Sequence, residues 1–247
     1  MANKKRPARF DVKADGRRGG LLWQLLMVAI VVVFAVGVIG YIIYKRPPTG
    51  DRGVQVTSSK LITGEDGAPK AVMTFYEDFL CPACGNFERN FGPTVSKLID
   101  TGAIAADYHM AGLLDSNATD NYSVRAGAAA YCVADDNLDA FRRFHTALFT
   151  EQIQPAEVGG DYPDDTRLIE IARQAGVIDN VPACINGGKY KKMVSGMARA
   201  AGIKGTPTIR INGDDYKWTT PDALISKIKE IVGDVPGLDT PSSPKTP

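Results

Sequence analysis

Residues 71–84 read Ala71-Val-Met-Thr-Phe-Tyr-Glu-Asp-Phe-Leu-Cys81-Pro-Ala-Cys84. Ala71 to Tyr76 is a short, nearly continuous apolar run after a Gly/Pro-containing turn, the pattern of a buried central strand. Cys81-Pro82-Ala83-Cys84 follows, and proline suits the first turn of a helix. Apolar residues then recur at helical spacing at Phe87, Phe91, Val95, Leu98 and Ile99, with a kink expected at Gly92-Pro93. Gly102 closes this helix, and Ala103 to His109 reads as a second strand. The stretch therefore opens a β–α–β unit whose helix begins at a cysteine pair.

From about Ser123 to Gly202 the pattern turns helical. Ser123 to Ala134 is rich in alanine, Leu138 to Phe149 carries an apolar stripe, and Arg167–Ala175 and Lys189–Ala201 supply further helices. Thr208–Ile211 and Asp215–Trp218 flank an Asn212-Gly213 turn, a hairpin signal. A last helix begins at Thr220-Pro221 and stops at Gly233. Without the helical block, a βαβ–ββα order remains. A Cys-x-x-Cys beside such a pattern reads as a thioredoxin-like redox site.

The chemistry of the pair is asymmetric. A thiol must become thiolate to attack a disulfide. Cys81 lies at the helix N-terminus, where unpaired N–H groups and the helix dipole favour an anion. Cys84 is one turn further on and feels that field less. Cys81 is thus the exchanging thiol and Cys84 the resolving one, with Pro82 and Ala83 between them. A closed zinc site needs about four ligands, and no second close pair accompanies this one; copper delivery lacks a ligand set as well. No metal site is therefore expected. Gly205-Thr206-Pro207-Thr208 opens the third strand. In a thioredoxin-like fold that position holds a cis-proline facing the cysteines, leaving the Thr206 backbone to pair with an extended substrate. An ordinary trans-proline at a strand start is the alternative. Cys132 and Cys184 remain, as a natural second disulfide or as two separate buried thiols. His109 and His145 read as structural histidines, and Arg142-Arg143 as a solvated face.

The chain has 247 residues, 44% hydrophobic and 23% charged, with a net charge of +1. Those values exclude global disorder, and a near-neutral chain lacks the basic surface of a nucleic-acid binder. The charge is unevenly placed. Residues 1–20 carry seven basic and two acidic side chains, a surplus of +5. Residues 21–44 then run apolar except for Gln24, long enough to cross a hydrocarbon core of about 30 Å. The run is longer than the apolar region of a cleaved signal peptide and ends without small residues for a peptidase. It reads as one transmembrane helix with a cytoplasmic N-terminus. The expected organisation is a basic leader (1–20), the span (21–44), a tether (45–60), a folded domain in two pieces (61–112 and 203–232), a helical insertion (113–202) and a disordered tail (233–247). Val54 and Val56 in the tether suit a short edge strand.

Phe79-Leu80-Cys81-Pro82-Ala83-Cys84, Thr206-Pro207 and the long helical insertion resemble the DsbA-like thiol:disulfide oxidoreductases. Tyr76 to Cys84, Ala130-Tyr-Cys-Val-Ala-Asp135 and Phe141-Arg-Arg-Phe-His145 look like the membrane-anchored mycobacterial members. The resemblance covers the anchor and residues 54–238. It implies an α/β thioredoxin-like fold with an inserted helical domain outside the cytoplasmic membrane. It implies a monomer that needs no cofactor beyond its Cys81–Cys84 disulfide and that introduces disulfides into unfolded exported proteins bearing reduced cysteines. It also implies a VKOR-like membrane partner that reoxidises the pair, and a Cys132–Cys184 disulfide that staples the helical domain. A reductase or isomerase of the same fold is an alternative, as is a non-enzymatic metal carrier or folding helper. Two departures stand out. Many thioredoxins carry a buried acid six residues before the first cysteine, where this chain has Phe75; Glu77 and Asp78 are the nearby acids. The enterobacterial DsbA places His between its cysteines, and this chain has Pro82-Ala83. A less stabilised Cys81 thiolate, and a potential between about −270 and −120 mV, are therefore expected.

Overall fold

A computed structural model describes residues 52–177 and 180–238, together with Trp23 and residues 27–31. The β2 strand (Val72–Glu77) and the β3 strand (Ala105–Met110) run parallel, from Val72 opposite Ala105 to Glu77 opposite Met110. The crossover between them is α1 (Pro82–Asp100). The β1 strand (Val54–Val56) adds antiparallel to the outer side of β3. On the other side of β2, β4 (Thr208–Ile211) pairs antiparallel, followed by β5 (Asp214–Asp215). The sheet order is β1-β3-β2-β4-β5.

Period-two alternation turns Met73 and Phe75 of β2 into the core. Phe87, Phe91, Val95, Leu98 and Ile99 line the buried face of α1, as their spacing predicts. Phe75 packs on Tyr108 with ring centroids 4.8 Å apart and on Phe87 at 6.1 Å. α1 packs against α7 (Pro221–Val232), whose N-terminus is capped by the Thr220 side chain accepting from the Ala223 N–H at 3.1 Å. Gly102 ends the turn after α1 at φ +80°, and a Cβ there would stand 2.1 Å from the Lys60 carbonyl oxygen. Only glycine meets both demands.

Among the described residues between β3 and β4 lie a short 3-10 turn (Asn117–Thr119) and five helices: α2 (Tyr122–Asp136), α3 (Leu138–Leu148), α4 (Asp165–Gln174), α5 (Val181–Asn186) and α6 (Lys191–Ala200). α2 is the hub. Every residue from Tyr122 to Val133 is buried, as befits a helix with no polar face. Its small residues let neighbours approach; a Cβ at Gly127 would meet Val194 of α6 at 2.8 Å. Cys132 of α2 and Cys184 of α5 form a disulfide across 52 positions. A loop of that size is worth up to about 4 kcal/mol of unfolded-state entropy. Replacing both cysteines with alanine should lower the Tm by roughly 8–16 °C. A Tm unchanged in calorimetry would show that the bond staples nothing.

Several expectations need correction. The second hairpin strand spans only Asp214–Asp215 instead of Asp215–Trp218, because the chain leaves β4 once Tyr216 has donated to the Ile209 carbonyl at 2.8 Å. The edge strand expected at Val54 and Val56 within the tether is present as β1. The tail does not leave the fold at 233: Val235 and Leu238 are buried, and Lys97 Nζ donates to the Leu238 carbonyl at 3.1 Å. Residues 239–247 lie outside the described residues. The expected span 21–44 also lies outside them, apart from Trp23 and residues 27–31, which are helical with exposed side chains. Among the described residues no helix is long and apolar enough to cross a membrane.

Candidate active site

Cys81 is the N-cap residue of α1, with extended backbone angles (φ −72°, ψ 118°). Pro82 therefore occupies N1, where its missing N–H costs nothing. Ala83 and Cys84 are N2 and N3, the positions whose N–H groups an N-cap side chain reaches. Cys81 uses them, but as a sulfur anion. Its pKa is lowered to about 5, chiefly by the Cys84 side chain hydrogen bond, and further by the Thr206 side chain and the N–H groups of Cys84 and Ala83, against its burial. As a thiol, Cys81 Sγ donates to the Thr206 carbonyl at 3.3 Å. Cys84 is completely buried, and burial first, then Cys81 and Glu77, push its thiol well up. Both thiols are free, with Pro82 and Ala83 exposed above them.

Sheet register places the second half of the site. Thr208 pairs with Tyr76 at the end of β2, so Gly205-Thr206-Pro207 is carried beside the cysteine turn that follows β2. The Thr206-Pro207 peptide bond is cis.

The inward acid is displaced rather than missing. Glu77 stands two residues after Phe75, hence on the same face of β2 and one pleat nearer the cysteines. It is completely buried, and burial raises its pKa to about 8. Glu88, one turn beyond Cys84 on α1, is buried beside it and raised well above the carboxylate range, first by burial and then by Glu77. His145 of α3 closes the group: its Nε2 lies 2.8 Å from Glu77 Oε2 and its Nδ1 3.9 Å from Glu88 Oε2. Burial lowers the His145 pKa, so the ring is held neutral. Among the described residues no N–H or hydroxyl donor reaches Glu77 Oε1 or Glu88 Oε1. Protonation of the carboxyls removes the cost of burying their charge and relieves their repulsion. Asp78 has a different task. Its carboxylate accepts from the Leu80 N–H at 2.9 Å and the Leu114 N–H at 2.8 Å, tying the cysteine turn to the segment after β3. Burial raises it to about 6.

Sequence reasoning found Cys81, Cys84, Thr206 and Pro207, which come together, and Cys132–Cys184, which lies apart in the helical block. His145 is a satisfied helix histidine as expected, with an acid as its partner. His109 bonds Asp107 at 3.0 Å and lies against the Tyr76 ring. The role of Glu88 and the clustering of three proton-holding groups had no local signal. Glu77→Gln offers a check. A carboxyl protonated to about pH 8 in the fold but ionised in the unfolded chain makes stability fall as pH rises towards 8. In urea titrations of the oxidised protein, Glu77→Gln should flatten that fall between pH 7 and 8; an unaltered profile would remove Glu77 from the account.

A thioredoxin-like sheet with an asymmetric cysteine pair at the N-terminus of its crossover helix defines a thiol–disulfide oxidoreductase. The thioredoxin family model matches residues 57–230, and the chain belongs to that family. It is similar to the solved structure of reduced DsbA from Mycobacterium tuberculosis, with 63% identity and a TM-score of 0.74 over 76% of this chain and 95% of that one. It is equally similar to the reduced disulfide bond oxidoreductase DsbG of the same organism, at 63% identity and a TM-score of 0.75, over 78% and 93%. It is DsbA-like within the family. A curated relative, the serine/threonine-protein kinase PknE of Mycobacterium tuberculosis, is 29% identical over 179 residues. The match takes in 67% of this chain and only 31% of the kinase, so the chain spans about a third of that relative's length.

Proposed function

We propose that the protein is a membrane-anchored oxidase that introduces disulfide bonds into exported proteins at Cys81-Pro82-Ala83-Cys84. The observation that carries this reading is the contrast within the pair, a Cys81 thiol lowered to about 5 beside a Cys84 thiol raised well above its ordinary value. A stabilised Cys81 thiolate favours the reduced enzyme, and therefore makes the oxidised enzyme an oxidant.

A substrate thiolate attacks Cys81 Sγ. The Cys81–Cys84 bond breaks, and its electron pair leaves on Cys84 sulfur, which takes up a proton. The Glu77–Glu88 pair lies beside it to supply that proton. A second substrate thiolate then attacks the substrate sulfur of the mixed disulfide, and Cys81 departs as thiolate. The substrate has lost two electrons and the enzyme has gained them. Thr206 offers its backbone to an extended substrate beside Pro207.

On this reading residues 21–44 anchor the chain, the basic leader stays in the cytoplasm, and the catalytic domain works outside. That domain divides into a thioredoxin-like part (61–112 and 203–232) and a helical insertion (113–202), and acts as a monomer. A VKOR-like membrane protein restores the disulfide. The test uses the full chain in detergent micelles. Taken oxidised, it should form disulfides in a reduced, unfolded substrate. Activity confined to reduction of insulin or to reshuffling of scrambled substrate would replace oxidase with reductase or isomerase.

A further inference from the structure

Gln154 stands in the bend after α3, 73 positions from Cys81. Its Nε2 donates to the Cys81 carbonyl at 3.0 Å and to the Phe79 carbonyl at 3.2 Å. Both donors of the amide are thus spent on the backbone of the cysteine turn. Its Oε1 accepts from Arg89 Nη1 at 2.9 Å, and the same nitrogen donates to the Phe149 carbonyl at 2.8 Å. The Gln154 backbone N–H is fixed on the Thr150 carbonyl at 2.8 Å. The amide is held from behind and aimed forward.

Gly85 accounts for the room. Glycine is unfavourable inside a helix, and nothing about the backbone of α1 calls for it there. A Cβ at position 85 would stand 1.9 Å from Gln154 Oε1 and 2.6 Å from Arg89 Nη1. The helix gives up a side chain where the amide and guanidinium pass.

The two carbonyls that Gln154 grips flank Cys81 along the chain. The Cys81 carbonyl belongs to the peptide that follows Cys81 and the Phe79 carbonyl to the peptide one residue before it, so gripping both pins the turn at its two ends and with it the direction of the Cys81 side chain. We propose that Gln154 is a positioning residue of the redox site, holding the Cys81 sulfur where the first-turn N–H groups of α1 reach it, with Arg89 as its support and Gly85 as its clearance. The helical insertion thereby sets the reactivity of a cysteine that belongs to the sheet domain. The inference rests on reading Cys81 as the exchanging thiol.

Gln154→Met in the full chain keeps the length of the side chain and removes its hydrogen bonds. Two readouts apply: thiolate ultraviolet absorbance against pH, and the equilibrium with glutathione. The expected result is a higher thiolate midpoint and a shift of about threefold to tenfold towards the disulfide form, the worth of a lost hydrogen bond. Gly85→Ala should move both readouts the same way, and the double variant should go no further than Gln154→Met alone, because the two act through one contact. Wild-type titration and equilibrium in Gln154→Met would overturn the proposal, whatever its Tm. An additive double variant would overturn the role of Gly85. An ordinary Cys81 thiol in the wild-type chain would instead sink the reading of the site, and does so before any variant is compared.

Discussion

Cys81→Ser and Cys84→Ser should each reduce disulfide transfer to the uncatalysed rate, and only Cys84→Ser should be trapped as a mixed disulfide with an oxidised client. A serine hydroxyl at position 81 is neither an acceptor of substrate sulfur nor an anion at neutral pH. With Cys84 replaced, Cys81 can still enter a mixed disulfide but has no internal partner to displace the substrate. Gel analysis after acid trapping should show Cys84→Ser adducts with a disulfide-bearing client, formed as the Cys81 thiolate attacks the client disulfide and the client's other sulfur leaves as thiolate, and none with Cys81→Ser. The burial contrast argues for this order: Cys81 retains 7% exposure and Cys84 none. Adducts on Cys84 in the Cys81→Ser protein would reverse the assignment. Retained activity in Cys81→Ser would remove the cysteines from the mechanism and favour a binding module.

The second large effect is thermodynamic. In the reduced fold Cys81 ionises at about 5, against an ordinary thiol value of 9.0. Between those values the unfolded reduced chain binds one proton more than the folded one. Stability of the reduced form therefore gains from this group as pH rises, at about 1.4 kcal/mol per unit. At pH 7 the gain is about 3 kcal/mol, and it is lost as pH falls through about 5. The oxidised form has no such group. The acids behind the site are present in both forms, so the effect of their burial cancels in the difference between the two unfolding free energies, leaving Cys81 and its repulsion of Glu77 and Asp78. Urea titrations of both forms from pH 5 to 8 should show the reduced protein gaining on the oxidised one throughout. A parallel pair of profiles would mean that the Cys81 thiolate is not stabilised and that the oxidase direction lacks its driving force. A thiol at about 5 falls between those of thioredoxin, about 7, and DsbA, about 3.5.

The β2–α1–β3 unit was legible because its signals are local. Six apolar residues, a proline at a helix start and a 3.6-residue stripe need no knowledge of distant chain. Thr206-Pro207 was legible because the order of elements puts β4 next to β2. The acids were half legible. Phe75 occupies the position where many thioredoxins carry an acid, and the sequence offers Glu77 and Asp78 nearby without choosing between them. Its partners could not be read, since His145 lies 68 positions away and meets Glu77 only after α3 packs on the sheet domain. Gln154 carries no pattern at all. The short β5 and the docked Val235 and Leu238 were missed because each depends on what the neighbouring chain leaves open.

On the proposed function, the Cys132–Cys184 bond makes the protein its own kind of client: both sulfurs start as thiols on a newly exported chain, and α5 is not joined to α2 until they are oxidised. On the proposed function, a mature copy is a competent donor for that step. Production of the enzyme would then be self-propagating, with each generation finishing the next, and a cell stripped of every mature copy would recover only as fast as some other oxidant closed the first one.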